Sequence, residues 1–140
     1  MQADDFFLGL FDTALGPDEV LTAIRLPAAT TGMRYGFAEL ARRHGDYAMV
    51  GLAASARKNG ESLGDSRLVF FGIGATPVRA RNAEAALEQS SHGGGIDQAV
   101  AALAHDFDPS DDIHARARTR LHLAGVLLKR VVAQLHGATA

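Results

Sequence analysis

The spacing of apolar positions changes along the chain and predicts its elements. The cluster Phe6-Phe-Leu-Gly-Leu-Phe11 has no clear period and follows Asp4 and Asp5. A cluster of this kind is expected to pack against another surface. Leu15-Gly-Pro-Asp-Glu19 reads as a turn, and Val20 to Leu26 as a short strand stopped by Pro27. Ala28 to Gly32 is small and polar, as a linker would be. From Tyr35 to Ala41 the pattern alternates moderately, as a half-buried strand requires. Gly45-Asp46 interrupts it. Residues 47–57 are then apolar and Ala-rich, and periodicity alone fits a strand or a helix equally. Asn59-Gly60 follows at once and favours strand–turn–strand, with Arg67 to Ile73 as a third strand.

Beyond this meander the pattern becomes helical. Thr76-Pro77 suits a helix start, because the hydroxyl can cap free amides and Pro tolerates the first helical position. Ala80 to Gln89 is rich in helix formers, Ser90-Ser-His-Gly-Gly-Gly95 reads as a flexible connector, and Ile96 to His105 as a second helix. The loop Phe107-Asp-Pro-Ser-Asp-Asp112 leads into a third, about Ala115 to Leu135. Leu121, Ala124, Leu128, Val131 and Leu135 share one face of it, away from Arg118, His122, Lys129 and Arg130. The expected class is α+β, a three-stranded antiparallel sheet covered by three helices. Residues 1–32 form a preceding tail and linker, and residues 33–140 the main domain.

Bulk properties narrow the function classes. The 140 residues suffice for one domain with a real core, and the net charge of -2 without a basic tail argues against nucleic acid as a partner. No apolar run is long enough to span a bilayer, and acids stand where a signal peptide needs bases, so no membrane insertion and a cytoplasmic location are expected. Cysteine is absent, which excludes disulfides, zinc–thiolate sites and iron–sulfur ligation within these residues. Any iron–sulfur cluster in the system would have to belong to another chain.

Several candidate chemistries weaken on inspection. Gly72-Ile-Gly74 has Pro77 where a dinucleotide loop needs its third glycine, and reads as a tight strand-to-helix turn. The six histidines include no His-x-x-x-His pair; His114 and His122 are eight apart, and His92 and His136 fall in expected loop or tail, so no metal site is predicted. Asp111-Asp112 before the third helix suits its dipole, and Arg116, Arg118 and Arg120 pair with those aspartates or with an acidic surface elsewhere. No strained Gly-x-Ser-x-Gly turn is present, and no catalytic residue is assigned. Arg42-Arg-His-Gly-Asp-Tyr47 is the remaining stretch: two arginines, an acid and an aromatic in a glycine-containing bend between strands. Such a bend can present Tyr47 as a flat face with polar neighbours, suited to a planar, polar-edged ligand, or it can be a loop with a local ion pair.

Phe37-Ala-Glu-Leu-Ala-Arg-Arg-His-Gly-Asp-Tyr-Ala48, followed by Val50-Gly-Leu-Ala-Ala54, resembles the flavoprotein medium subunit of carbon monoxide dehydrogenases and related xanthine dehydrogenase-type molybdenum hydroxylases. Three further segments agree in order. Phe6-Phe-Leu-Gly9, with Thr13-Ala-Leu15 and Glu19-Val-Leu21, resembles the end of that family's FAD-binding domain. Phe71-Gly-Ile-Gly-Ala-Thr-Pro-Val-Arg-Ala80 with Ala83-Glu84 resembles its strand-to-helix turn, and Asp112-Ile-His-Ala115 with Arg120-Leu-His-Leu-Ala-Gly-Val-Leu127 its last helix.

The resemblance implies the C-terminal, flavin-covering and subunit-docking domain of the FAD subunit. Electrons would pass from a molybdenum large subunit through an iron–sulfur small subunit to FAD and on to an acceptor. Tyr47 matches the position that approaches the flavin ring, with Asp46 and Arg43 beside it as FAD-facing residues. The family's upstream glycine-rich stretches, which hold the FAD diphosphate, do not occur in this sequence. The resemblance therefore implies a truncated or split subunit that lacks the FAD-binding N-terminal half. Such a chain is expected to bind FAD weakly or not at all when alone, without turnover. The apolar Phe6, Phe7 and Phe11, which would pack on that half, are expected to drive self-association into a homodimer. Two alternatives are a free-standing homologue acting as a non-catalytic assembly module without flavin, and a small enzyme using the Arg42-Arg43-Asp46 bend on an anionic substrate.

Overall fold

Residues 1–43, 45–89, 95–113 and 115–137 are described by the computed structural model of the protein. The chain opens with a 3-10 turn, Ala3–Asp5, and two short paired strands, β1 (Phe7–Gly9) and β2 (Asp12–Thr13). The apolar cluster forms this hairpin but packs little within the chain: Phe7, Leu8, Leu10 and Phe11 are exposed. Val20 to Leu26 is not a strand. Its side chains Val20, Leu21, Ile24 and Leu26 are exposed and the backbone pairs with no sheet, so β propensity there lacks the partner a strand needs.

The main sheet follows the alternation. Strands β3 (Met33–Leu40), β4 (Val50–Asn59) and β5 (Ser62–Phe71) form the expected antiparallel meander, and β6 (Val78–Arg79) adds a two-residue edge in the order β3-β4-β5-β6. Phe37 faces Ala53 across the ladder, Ala53 faces Val69, and Val69 faces Arg79. Strand β5 starts five residues earlier than its apolar run, because Asn59 pairs with Ser62 directly across the Gly60-Glu61 turn. Gly60 adopts φ +60°, a conformation glycine reaches without steric cost.

Helices α1 (Arg81–Gln89), α2 (Ile96–Asp106) and α3 (Ala117–His136) cover one face of the sheet. Val50, Leu52, Ala54, Ala56, Leu68 and Phe70 point into this layer and are buried with Leu103, Leu127, Leu128, Val131 and Leu135. Phe70 meets Phe107 edge to face with ring centroids 4.8 Å apart. The expected α3 face is right and broader than read, since Gly125, Leu127 and Val132 join it. Gly36 lets α3 lie against the edge strand, for a Cβ there would stand 2.8 Å from Val131 Cγ1. Beside it the Phe37 amide donates to Gln134 Oε1 at 3.0 Å, so a helix side chain satisfies part of the open edge.

Helix α1 does not start at Thr76-Pro77. Val78 and Arg79 are drawn into the sheet, the Ala80 amide bonds to Leu68 O, and the helix begins at Arg81. Its free amides are capped by Asp106 from the end of α2, which accepts from the Asn82 and Ala83 N–H groups at 2.9 and 3.0 Å. Asp111 caps α3 as read, accepting from the Ala117 amide at 2.6 Å. His136 belongs to the last turn of α3 rather than to a tail, and Gly137 closes the helix at φ +100°. Most of the expected connector, Ser90 to Gly94, lies outside the described residues. No helix among the described residues is long and apolar enough to cross a membrane.

Candidate functional site: an exposed tyrosine on a pinned bend

The β3–β4 connection carries Arg43, Asp46 and Tyr47, and backbone hydrogen bonds fix its ends. The Met49 amide donates to Leu40 O at 2.8 Å, and the Asp46 amide donates to Arg43 O at 3.2 Å. Gly45 turns the chain at φ +80° with open space around it. The Asp46 carboxylate then folds over the next peptide: Oδ1 accepts the Tyr47 amide at 3.1 Å, and Oδ2 lies 3.6 Å from Arg43 Nε. That ion pair is solvated, with the Arg43 side chain 85% exposed, and contributes little stability. Arg42 reaches the other way, donating from Nη2 to Ile113 O at 3.2 Å and so tying the bend to the loop before α3. Tyr47 is 92% exposed. The structure therefore brings Arg43, Asp46 and Tyr47 together, with the tyrosine presented to solvent on a backbone that is held. His44, inside the same stretch, lies outside the described residues.

The open sheet face continues from this end. Phe71 lies flat over Gly51, where a Cβ would come within 2.0 Å of its ring, and stacks on Phe37 at 6.0 Å and 20°. Tyr35 and Phe37 are exposed on the same face, two positions apart along β3. This aromatic face was not foreseen. Its residues were visible in the alternation, but only the register places Phe71 beside Phe37.

The other candidates resolve into structure. Among the described residues no three metal-type ligands converge; His92 and His114 are not among them. Gly72 turns at φ +72° out of β5, and the next strand runs antiparallel, so no parallel βαβ unit surrounds Gly72-Ile-Gly74. Of the three arginines, Arg120 makes the intramolecular contact. It is 7% exposed and donates to Asp112 Oδ2 at 2.7 Å and to Ser110 O and Ala115 O at 3.0 Å, while Arg116 and Arg118 are exposed.

A groove of about 580 Å³ lies along Met33, Arg57, Asp65, Arg67, Arg79 and Glu88. Its charges are largely used internally. Arg57 Nε pairs with Asp65 at 2.9 Å, and Arg79 holds Glu84 through Nε and Nη2 at 2.8 to 3.0 Å. Hydrogen bonding to Glu84 raises the Arg79 guanidinium above its ordinary range, against an opposing effect of burial and with further attraction from Glu84, Asp4 and Glu88. The bend, unlike the groove, presents an exposed aromatic ring, that of Tyr47.

The model of the CO dehydrogenase flavoprotein C-terminal domain family matches residues 35–135. The chain belongs to this family. Its relatives include the carbon monoxide dehydrogenase medium chain of Afipia carboxidovorans, 33% identical over 93% of this chain and 46% of that one. The nicotine 6-hydroxylase medium subunit of Paenarthrobacter nicotinovorans is 30% identical over 99% of this chain and 49% of its own. Among solved structures, carbon monoxide dehydrogenase from Hydrogenophaga pseudoflava superposes with a TM-score of 0.88 at 31% identity, over 98% of this chain and 48% of that one. The chain thus spans just under half the length of these relatives.

Proposed function

We propose that the chain supplies the flavin-covering wall of an FAD site in a molybdenum hydroxylase, with Tyr47 as the residue that faces the isoalloxazine. The observation that carries this reading is the 92% exposed Tyr47 on a backbone-pinned bend in a flavoprotein-family domain. The residues present fit one side of a flavin. An exposed aromatic on a pinned backbone offers a planar face, the Asp46 carboxylate accepts from the Tyr47 amide, and Arg43 adds positive charge at the rim. Bound FAD would take up electrons from iron–sulfur clusters and pass them to an acceptor, and the chain's own part is orientation and exclusion of water.

In this reading residues 1–32 are the tail of the FAD-binding domain. The exposed Phe7, Leu8, Leu10 and Phe11 seat against its remainder. An iron–sulfur small subunit and a molybdenum large subunit complete the assembly. The test is calorimetry with FAD, on the chain alone and on the chain paired with an FAD-binding half. The pair is expected to bind stoichiometrically and turn yellow, and the chain alone weakly. Tight stoichiometric binding by the chain alone, or none by the pair, would refute the reading. The same exposed hairpin favours a second reading, an assembly module without flavin, which predicts a pair that forms but stays colourless.

A further inference from the structure

We propose that Gly72 is a positioning residue for the flavin-facing bend: the absence of a side chain lets the end of β5 seat under Ala48 and Met49, and this sets where Tyr47 stands. The proposal rests on the flavin reading above. Phe71 is anchored on the open sheet face by its stack with Phe37 and its seat on Gly51, so the chain leaves β5 from a fixed point. Gly72 then turns at φ +72°, and a Cβ there would stand 2.7 Å from Ala48 O and 3.1 Å from Met49 O. Both obstacles are backbone atoms, which cannot rotate aside as a side-chain tip can. Ala48 follows Tyr47 directly, and Met49 makes the bond to Leu40 O that closes the bend. Any L-side chain at position 72 therefore meets a strained φ and also pushes the segment that carries Tyr47.

The experiment uses the full chain with tyrosine rings labelled for NMR, alone and paired with an unlabelled FAD-binding half, and FAD as the probe. The sequence has two tyrosines, so Tyr35 on the sheet serves as the internal reference. In the unmodified chain paired with an FAD-binding half, FAD is expected to shift the Tyr47 ring signal and leave Tyr35 in place. Gly72→Ala is expected to move the Tyr47 signal before any FAD is added, to speed exchange of the Met49 amide, and to abolish the FAD-induced shift. Gly74→Ala is the control, since a Cβ there meets nothing closer than Thr76 O at 3.9 Å, and it should behave as the unmodified chain. An unmoved Tyr47 with its FAD shift intact in Gly72→Ala would overturn the positioning role. A missing FAD shift in the unmodified chain paired with an FAD-binding half overturns the flavin reading instead, and displacement of Tyr47 in Gly72→Ala still supports the brace. Should Gly72→Ala fail to fold, nuclear Overhauser contacts from Gly72 Hα to Ala48 and Met49 in the unmodified chain carry the test, and their absence overturns the proposal.

Discussion

Removing the Glu84 carboxylate should destabilise the domain by an amount the geometry allows one to work out. Glu84 is 6% exposed and accepts from three donors: the Leu68 amide at 2.8 Å, Arg79 Nη2 at 2.8 Å, and Arg79 Nε at 2.9 and 3.0 Å to its two oxygens. It thereby ties α1 to β5 and β6. In Glu84→Gln one oxygen still serves Leu68, but the amide NH2 turns a donor toward a donor. Each charge-assisted bond contributes about 1.5–3 kcal/mol, and Arg79 is partly solvated, so the expected loss is about 2–3 kcal/mol. Glu84→Ala also leaves the Leu68 amide buried without its acceptor, for a total of about 4 kcal/mol. At about 3 °C per kcal/mol for a chain of this size, Tm falls by about 6–9 °C for the Gln variant.

The pH dependence has a definite sign. Arg79 is raised in the folded state, so its contribution is complete below the ordinary arginine range and is lost only as pH climbs through it. Urea unfolding followed by circular dichroism should therefore give the same Arg79-linked loss at neutral and mildly alkaline pH. Adding Arg79→Met to Glu84→Gln should recover part of it, because the uncompensated partner is gone. A loss below about 0.5 kcal/mol, the range of ordinary surface changes, would refute the reasoning.

Tyr47→Ala should change stability by less than about 0.5 kcal/mol, since the ring packs on little of the chain. In the assembled subunit, losing about 80 Å² of ring contact at about 25 cal/mol/Å² should weaken FAD by about 2 kcal/mol, roughly 30-fold. An equal affinity in a fluorescence titration would count against the flavin contact. Arg120→Met removes donors to Ser110 O and Ala115 O as well as the Asp112 pair, and should cost about 2–3 kcal/mol. Hydrogen exchange should rise along residues 110–113 and, through the Arg42 bond to Ile113 O, at the bend; unchanged exchange there would disconnect the two. The exposed hairpin and sheet aromatics should give the isolated chain a concentration-dependent dimer in sedimentation, and a monomer at every concentration would contradict that.

What the sequence disclosed was mostly local. Alternation and the Asn59-Gly60 turn located the meander, and the α3 face followed from 3.6-residue spacing. Val78-Arg79 escaped because two residues carry no period, and only the Leu68–Ala80 bond and the pairing with Val69 and Phe70 define that edge. Asp106 capping α1 and Arg79 gripping Glu84 escaped for another reason: each joins residues whose meeting depends on how elements pack. The bend was legible as residue types and as a family pattern. Its geometry was not, because exposure of Tyr47 and the fit of Gly72 beneath Ala48 arise only when β3, β4 and β5 are in register.

The central claim is that Tyr47 stands against the flavin ring. A tyrosine in contact with an excited flavin donates an electron and quenches its emission, whereas phenylalanine at the same place does not. Time-resolved fluorescence of FAD in the chain paired with an FAD-binding half measures this directly. The account predicts strongly shortened emission with Tyr47 and clearly longer-lived emission with Tyr47→Phe at equal FAD occupancy. Identical lifetimes in the two, with FAD fully bound, would contradict it.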